Sequence, residues 1–252
     1  MKKIITTMAT VALLSTGAVA ESVSTYLIGA AASLSDVKSK LQANGFEVLA
    51  TTGNVVTITN PELQATNTYL ATLQVHANSS DVRVQNPAYF GAAYLDDKYK
   101  KGQFSGTVDS LTKALGNLSA STEQLESDDL GGYHFMMGMP YFDEPIIVST
   151  ASKVYEKIAG NDNISYSLRL PNGSILVGHK LSSATSGFLK VLNQTANAQI
   201  LPYEALVFSN QVKMMNPKFY LALSLPQLSM GQFMKISDIP GKIEDDVTNA
   251  YK

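Results

Sequence analysis

The side chains in this sequence best suited to chemistry are gathered in Gly132-Tyr133-His134-Phe135-Met136-Met137-Gly138-Met139. Thioether and imidazole are donors that Cu(I) accepts in an oxidising compartment. Read as a strand, however, the segment sends His134 and Met136 to one face and Met137 and Met139 to the other, so the donors do not converge. It also aligns with Tyr26-Leu27-Ile28-Gly29-Ala30-Ala31, Gly138 opposite Gly29, and that counterpart holds no ligand. Methionine is a common filler of irregular cores. The expectation is therefore packing, with no metal centre and no cofactor. His134 and Met136 are the candidate ligands if a copper-type site exists.

Other constellations lead less far. His76, His134 and His179 are the only histidines and do not match between the two halves of the chain, so a three-histidine zinc site would need tertiary convergence. Ser35-Asp36-Val37-Lys38 and Ser110-Leu111-Thr112-Lys113 fit Ser-x-x-Lys, but the companion elements of penicillin-recognising enzymes are missing. The acidic groups Asp96-Asp97, Asp128-Asp129, Asp143-Glu144 and Glu244-Asp245-Asp246 lack calcium-loop spacing and read as solvated faces. No nucleophile elbow, phosphate-cradling loop or dinucleotide fingerprint occurs. No catalytic residue is expected.

The elements that must position these residues are written twice. Val82-Arg83-Val84-Gln85-Asn86-Pro87-Ala88-Tyr89-Phe90 is echoed by Val212-Lys213-Met214-Met215-Asn216-Pro217-Lys218-Phe219-Tyr220, and each copy runs on to a Gly-Gln-Phe, at 102–104 and 231–233. Asn caps a helix by accepting from its first free N–H groups, and Pro fits the next position; both copies thus mark a strand-to-helix switch. Pro226 should end the second of these helices near Leu225. Amphipathic segments follow each Gly-Gln-Phe, through Val108, Leu111 and Leu115 and through Ile239, Ile243 and Val247.

In the first half, periodicity predicts a strand at Tyr26–Ala31, a helix over Ser33–Asn44 closed by Gly45, a hairpin of 46–51 and 54–59, and strands at 69–75 and 82–85. The second half repeats that order. A strand is expected at 134–139, a helix at 149–159, a hairpin of 164–170 and 175–180 about Pro171-Asn172-Gly173-Ser174, a helix at 184–193, and strands at 203–209 and 212–215. Residues 116–132, rich in Ser, Asp, Glu and Gly, read as a connector. One member of each aromatic pair, Tyr89-Phe90 and Phe219-Tyr220, is expected in a core and the other at the contact between halves.

Lys2-Lys3, the apolar run Ile4–Leu14 and Ala18-Val19-Ala20 form a secretory signal pattern, with cleavage expected after Ala20. The run is shorter than the ~20 residues that span a bilayer, and no Cys follows it for lipid attachment. Removal of residues 1–20 leaves 17 basic against 21 acidic residues, a net charge of −4. No polyanion or nucleic-acid partner is implied. With no cysteine in the chain, disulfides, thiolate metal sites and a Cys nucleophile are excluded, and stability must come from packed cores. The expected compartment is the periplasm.

Leu201-Pro202-Tyr203 leading into an apolar strand, then Val-Lys-Met-Met-Asn-Pro at 212–217, resembles the Domain of Unknown Function 302 family. That family typically shows Pro-Cys where this chain has Pro202-Tyr203, and Thr68-Tyr69 stands there in the first half. The resemblance implies a compact α+β unit able to pair with a second copy, with no activity to carry over. The expected architecture is α+β: two similar α/β-sandwich-like domains from an internal duplication, with mainly antiparallel sheets. Their bounds are a signal at 1–20, a first repeat at 21–116, a linker at 117–132 and a second repeat at 133–252. The expected function is a non-catalytic binding or accessory protein, paired within itself, for an unknown small molecule or protein. The alternatives are a copper-binding protein using the His134 and methionine region, and an enzyme whose site lies in the cleft between the domains.

Overall fold

A computed structural model describes residues 21–151 and 153–252; the expected signal at 1–20 lies outside them. The protein is α+β, with two antiparallel sheets and a small two-stranded ribbon. In chain order the strands are β1 (Ser22–Ser24), β2 (Tyr26–Ala30), β3 (Glu47–Thr52), β4 (Val55–Thr59), β5 (Leu73–Ala77), β6 (Asp81–Gln85), β7 (Ser119–Ala120), β8 (Gln124–Glu126), β9 (Ile146–Ser149), β10 (Ile164–Arg169), β11 (Ile175–His179), β12 (Tyr203–Phe208) and β13 (Gln211–Met214). The first sheet runs β3-β4-β5-β6-β2-β7 and the second β10-β11-β12-β13-β9. Apart from β7, the two orders are the same when strands are counted within each half.

The helices used below are α1 (Leu34–Ala43), α2 (Pro61–Gln64), α3 (Pro87–Leu95), α4 (Ser105–Leu115), α5 (Ser127–Leu130), α6 (Ser183–Ser186), α7 (Phe188–Val191), α8 (Pro217–Ser224), α9 (Met230–Lys235) and α10 (Ile239–Asn249). The Asn-Pro caps form as their chemistry dictates. The Oδ1 of Asn86 accepts from the Ala88 N–H at 3.0 Å and that of Asn216 from the Lys218 N–H at 3.1 Å. Ser33 caps α1 through the Asp36 N–H at 3.1 Å. Helix α8 ends at Ser224, ahead of Pro226. Gly102-Gln103-Phe104 forms the turn before α4, whereas Gly231-Gln232-Phe233 lies inside α9, where Ser229 and Gln232 form a capping box.

Alternation gives each sheet two unlike faces. Val56, Ile58, Leu73, Val75, Val82 and Val84 line one face of the first sheet and belong to the same buried cluster as Val37, Leu41, Leu111 and Ala114 of α1 and α4. Thr57, Gln74, His76 and Arg83 line the other face. In the second sheet, Val177, Ala205, Val207, Val212 and Met214 share a face with Tyr203, whose ring meets that of Tyr220 from α8 edge-on at 5.3 Å.

Several elements differ from the sequence expectation. Residues 134–139 form turns, not a strand, and the first strand of the second sheet is β9. Gly138 adopts φ +83° and the Met139 N–H donates to the Met136 carbonyl at 3.0 Å, closing a turn just before Pro140. The β-branched Ile146-Ile147-Val148 run suits the pleated sheet better. The helix expected at 149–159 shrinks to a 3-10 turn at Val154–Lys157, and the one at 184–193 divides into α6 and α7 about Gly187. The strand expected from Tyr69 starts at Leu73, after a 3-10 turn at Tyr69–Ala71 whose first N–H groups Thr68 caps. Residues 116–132, read as a connector, carry β7, which pairs with β2, and β8, which pairs with β1.

Candidate functional site

The polar face of the first sheet is largely shielded from solvent: Thr57, Gln74 and His76 are buried and Arg83 is half-buried. It packs against the second half, with hydrogen bonds and an ion pair at the contact. The Arg83 guanidinium donates to the Asn197 Oδ1 at 2.7 Å and lies 3.5 Å from the Glu123 carboxylate; His76 Nδ1 lies 2.9 Å from the Ala196 carbonyl. Helix α8 leaves its last carbonyls unpaired, as every helix does. Tyr89 OH donates to the Leu223 carbonyl at 2.8 Å and Tyr26 OH to that of Ser224 at 2.6 Å. In the same direction, Tyr69 OH donates to the Lys213 carbonyl at 3.0 Å. Tyr220, from the second aromatic pair, accepts from Gln85 Nε2 at 3.3 Å.

At the centre of this contact lies Glu204 of β12. Its Oε1 accepts from the hydroxyls of Thr72 and Tyr166 and, at 3.1 Å, from Gln74 Nε2. Burial pushes its carboxyl up from the ordinary 4.5 to about 7, against the pull of those three donors. The Tyr166 ring reaches Glu204 only because Gly178, its cross-strand neighbour, has no side chain. A Cβ at Gly178 would lie 2.2 Å from Tyr166 Cε1. Neither residue stood out as a site residue in the sequence. The available signal was a glutamate sharing a strand face with Leu206 and Phe208.

Beside Glu204 the contact between halves opens into a cleft of about 400 Å³. Leu206 and Phe208, the next residues on the Glu204 face of β12, form one wall, with Tyr69 from the first half opposite. Phe142 comes from the segment joining the halves and stacks on Tyr94 with ring centroids 5.1 Å apart. Asn67, Asn172 and Lys213 supply polar groups at the rim. Phe208 is 55% exposed, unusual for so large an apolar side chain in a strand. Ser174 donates to Asn172 Oδ1 at 2.7 Å, Thr68 and Tyr69 carry the other hydroxyls of the wall, Asp143 its one carboxylate, and no histidine lines the cleft.

The sequence candidates fall elsewhere. His134 and Met136 lie in the loop of 133–145. Met136 is 40% and Met137 93% exposed, so the expectation that these methionines fill a core is corrected: the turn at Gly138 removes them from any sheet. His134, Met137 and Met139 line one open depression, which the strand reading had placed on opposite faces. His179 is fully buried, with Nε2 2.8 Å from Tyr251 OH, and burial lowers its pKa to about 4. The three histidines do not come together, and no group of three or more His, Asp or Glu side chains able to hold a metal ion occurs among the described residues.

No protein-family model, curated protein or solved structure matches this chain. No helix among the described residues is long and apolar enough to cross a membrane.

Proposed function

We propose that this is an exported, non-catalytic binding or accessory protein whose ligand, a small molecule with a flat apolar body, enters the cleft between the two halves. The observation that carries the reading is the cleft itself. It has the size of a small-molecule site, about 400 Å³. Its walls come from both halves and the segment between them, and Phe208 stands exposed at its edge without a partner to cover it. An aromatic wall with a few polar groups at the rim orients a ligand and contributes apolar burial, and the lining pairs its Ser174 and Thr68 hydroxyls with no histidine. Asp143 is the one carboxylate in the cleft lining, and Glu204, which lies outside that lining, already has its Oε1 engaged by three donors.

The same proposal takes the halves as divergent tandem copies of one unit similar to the Domain of Unknown Function 302 family. Their common strand order and the matching Asn86 and Asn216 caps support it. Export rests on the signal pattern at 1–20; N-terminal sequencing of material from the periplasm should begin at Glu21.

Binding is tested with N-phenyl-1-naphthylamine, an apolar fluorophore that brightens on leaving water. One saturable site per chain is expected, weakened at least tenfold in Phe208→Ala with the circular dichroism unchanged. Absence of saturable binding, or equal affinity in the variant, would remove the cleft as the site.

A further inference from the structure

The loop of 133–145 holds a second constellation, separate from the cleft ligand. Three soft or borderline donors, His134, Met137 and Met139, line one open depression of about 710 Å³. The backbone has been shaped to put them there. Gly138 takes the left-handed φ of +83°, which L side chains avoid, and the Met136 carbonyl closes the turn with the Met139 N–H at 3.0 Å. The His134 ring is held by stacking on Tyr141, centroids 4.7 Å apart and planes within 15°. Tyr141 is fixed in turn, its N–H donating to the Glu144 carboxylate at 2.9 Å. Met137, 93% exposed, gains nothing from packing where it stands. A thioether on a flexible stem, left in water beside a fixed imidazole and a second thioether, has the means to close over an ion.

We propose that this loop binds one soft monovalent cation, Cu(I) or its surrogate Ag(I), through His134, Met137 and Met139. The charge of the surroundings decides against a hard or borderline dication. Lys218 and the first N–H groups of α8 border the depression, and Glu144 is the one carboxylate in its lining. A dication would want several anionic ligands there, whereas neutral thioether and imidazole donors satisfy a monovalent soft ion. Met136 is not among the lining residues; its carbonyl serves the turn.

The test is a competition titration of the purified protein against bicinchoninate-bound Cu(I) under ascorbate without oxygen, with Ag(I) and methionine-methyl NMR as a second readout. One Cu(I) per chain is expected, with affinity reduced at least 100-fold in Met137→Leu/Met139→Leu and at least tenfold in His134→Ala. Ag(I) should shift the Met137 and Met139 methyl signals. Met230→Leu/Met234→Leu alters exposed methionines on α9 and should bind as the wild type does. Circular dichroism controls for folding. If the wild type leaves Cu(I) on the chelator, if the loop variants bind as tightly as the wild type, or if the α9 variant loses as much, the proposal is wrong, and the exposed methionines belong to a partner contact instead.

Discussion

Replacing Glu204 by Gln keeps the side chain's shape and an oxygen able to accept from Thr72, Tyr166 and Gln74, but removes its titration. In the folded protein the Glu204 carboxyl holds its proton up to about pH 7, against an ordinary 4.5. The folded state therefore binds the proton more strongly than the unfolded chain does, and stability from this group is full below pH 4.5 and is lost as pH rises towards 7. The displacement corresponds to about 3 kcal/mol. His179 acts with the opposite sign. Its pKa is lowered from 6.5 to about 4 by burial, so its contribution is present above pH 6.5 and is lost as pH falls towards 4. Between about pH 4.5 and 6.5 the two slopes oppose each other, and the wild-type curve alone would conceal both. The informative quantity is the difference in unfolding free energy between Glu204→Gln and wild type, from urea titrations at half-unit steps from pH 4.5 to 8. It should move in favour of the variant by about 3 kcal/mol across the range and level off above pH 7. A difference that stays constant with pH would refute the argument, because it would mean that the contact between halves does not suppress ionisation at Glu204.

Three further outcomes follow from the same geometry. Asn216→Ala should cost about 1 kcal/mol through the lost cap, and Asn86→Ala about twice that, since its Nδ2 also donates to the Ser24 carbonyl at 2.7 Å; chemical denaturation compares them directly. Gly178→Ala should cost about 1–3 kcal/mol by displacing the Tyr166 ring. Its effect should be strongly non-additive with Tyr166→Ala in a double-mutant cycle, and additive behaviour would mean the ring has room to move. Tyr251→Phe removes the hydroxyl at His179 Nε2 and should lower the melting temperature at pH 7.5, a loss that a variant with unchanged melting would rule out.

Local chemistry made much of the fold legible. The Asn-Pro caps, the Ser33 cap, the alternation of Val82 and Val84 and the turn about Asn172-Gly173 are each decided by neighbours in sequence. The strand expected at 134–139 was misplaced because its apolar content outweighed Gly138 and Pro140, while the β-branched run that β13 selects lies seven residues further on, at 146–148. The partners of Glu204 were beyond reach for a different reason. Thr72 and Gln74 lie about 130 residues away, and nothing in a strand of six residues announces what the opposing face will offer.

The hydrogen bond from Gln74 to Glu204 carries a consequence for how such a molecule could arise. When the paired strands are aligned through Val84 and Met214, Gln74 falls opposite Ala205's preceding neighbour, so that the amide and the carboxyl occupy corresponding places in the two sheets. A symmetric homodimer of one such unit could not make this contact. It would present glutamate twice, with two carboxyls competing for one set of donors and one forced to keep its proton, or glutamine twice, with no anion at all. A chain that encodes both places separately puts a permanent donor on one side and an acceptor on the other without a shared proton. With an amide at one place and a carboxyl at the other, the contact carries a single titrating group per molecule.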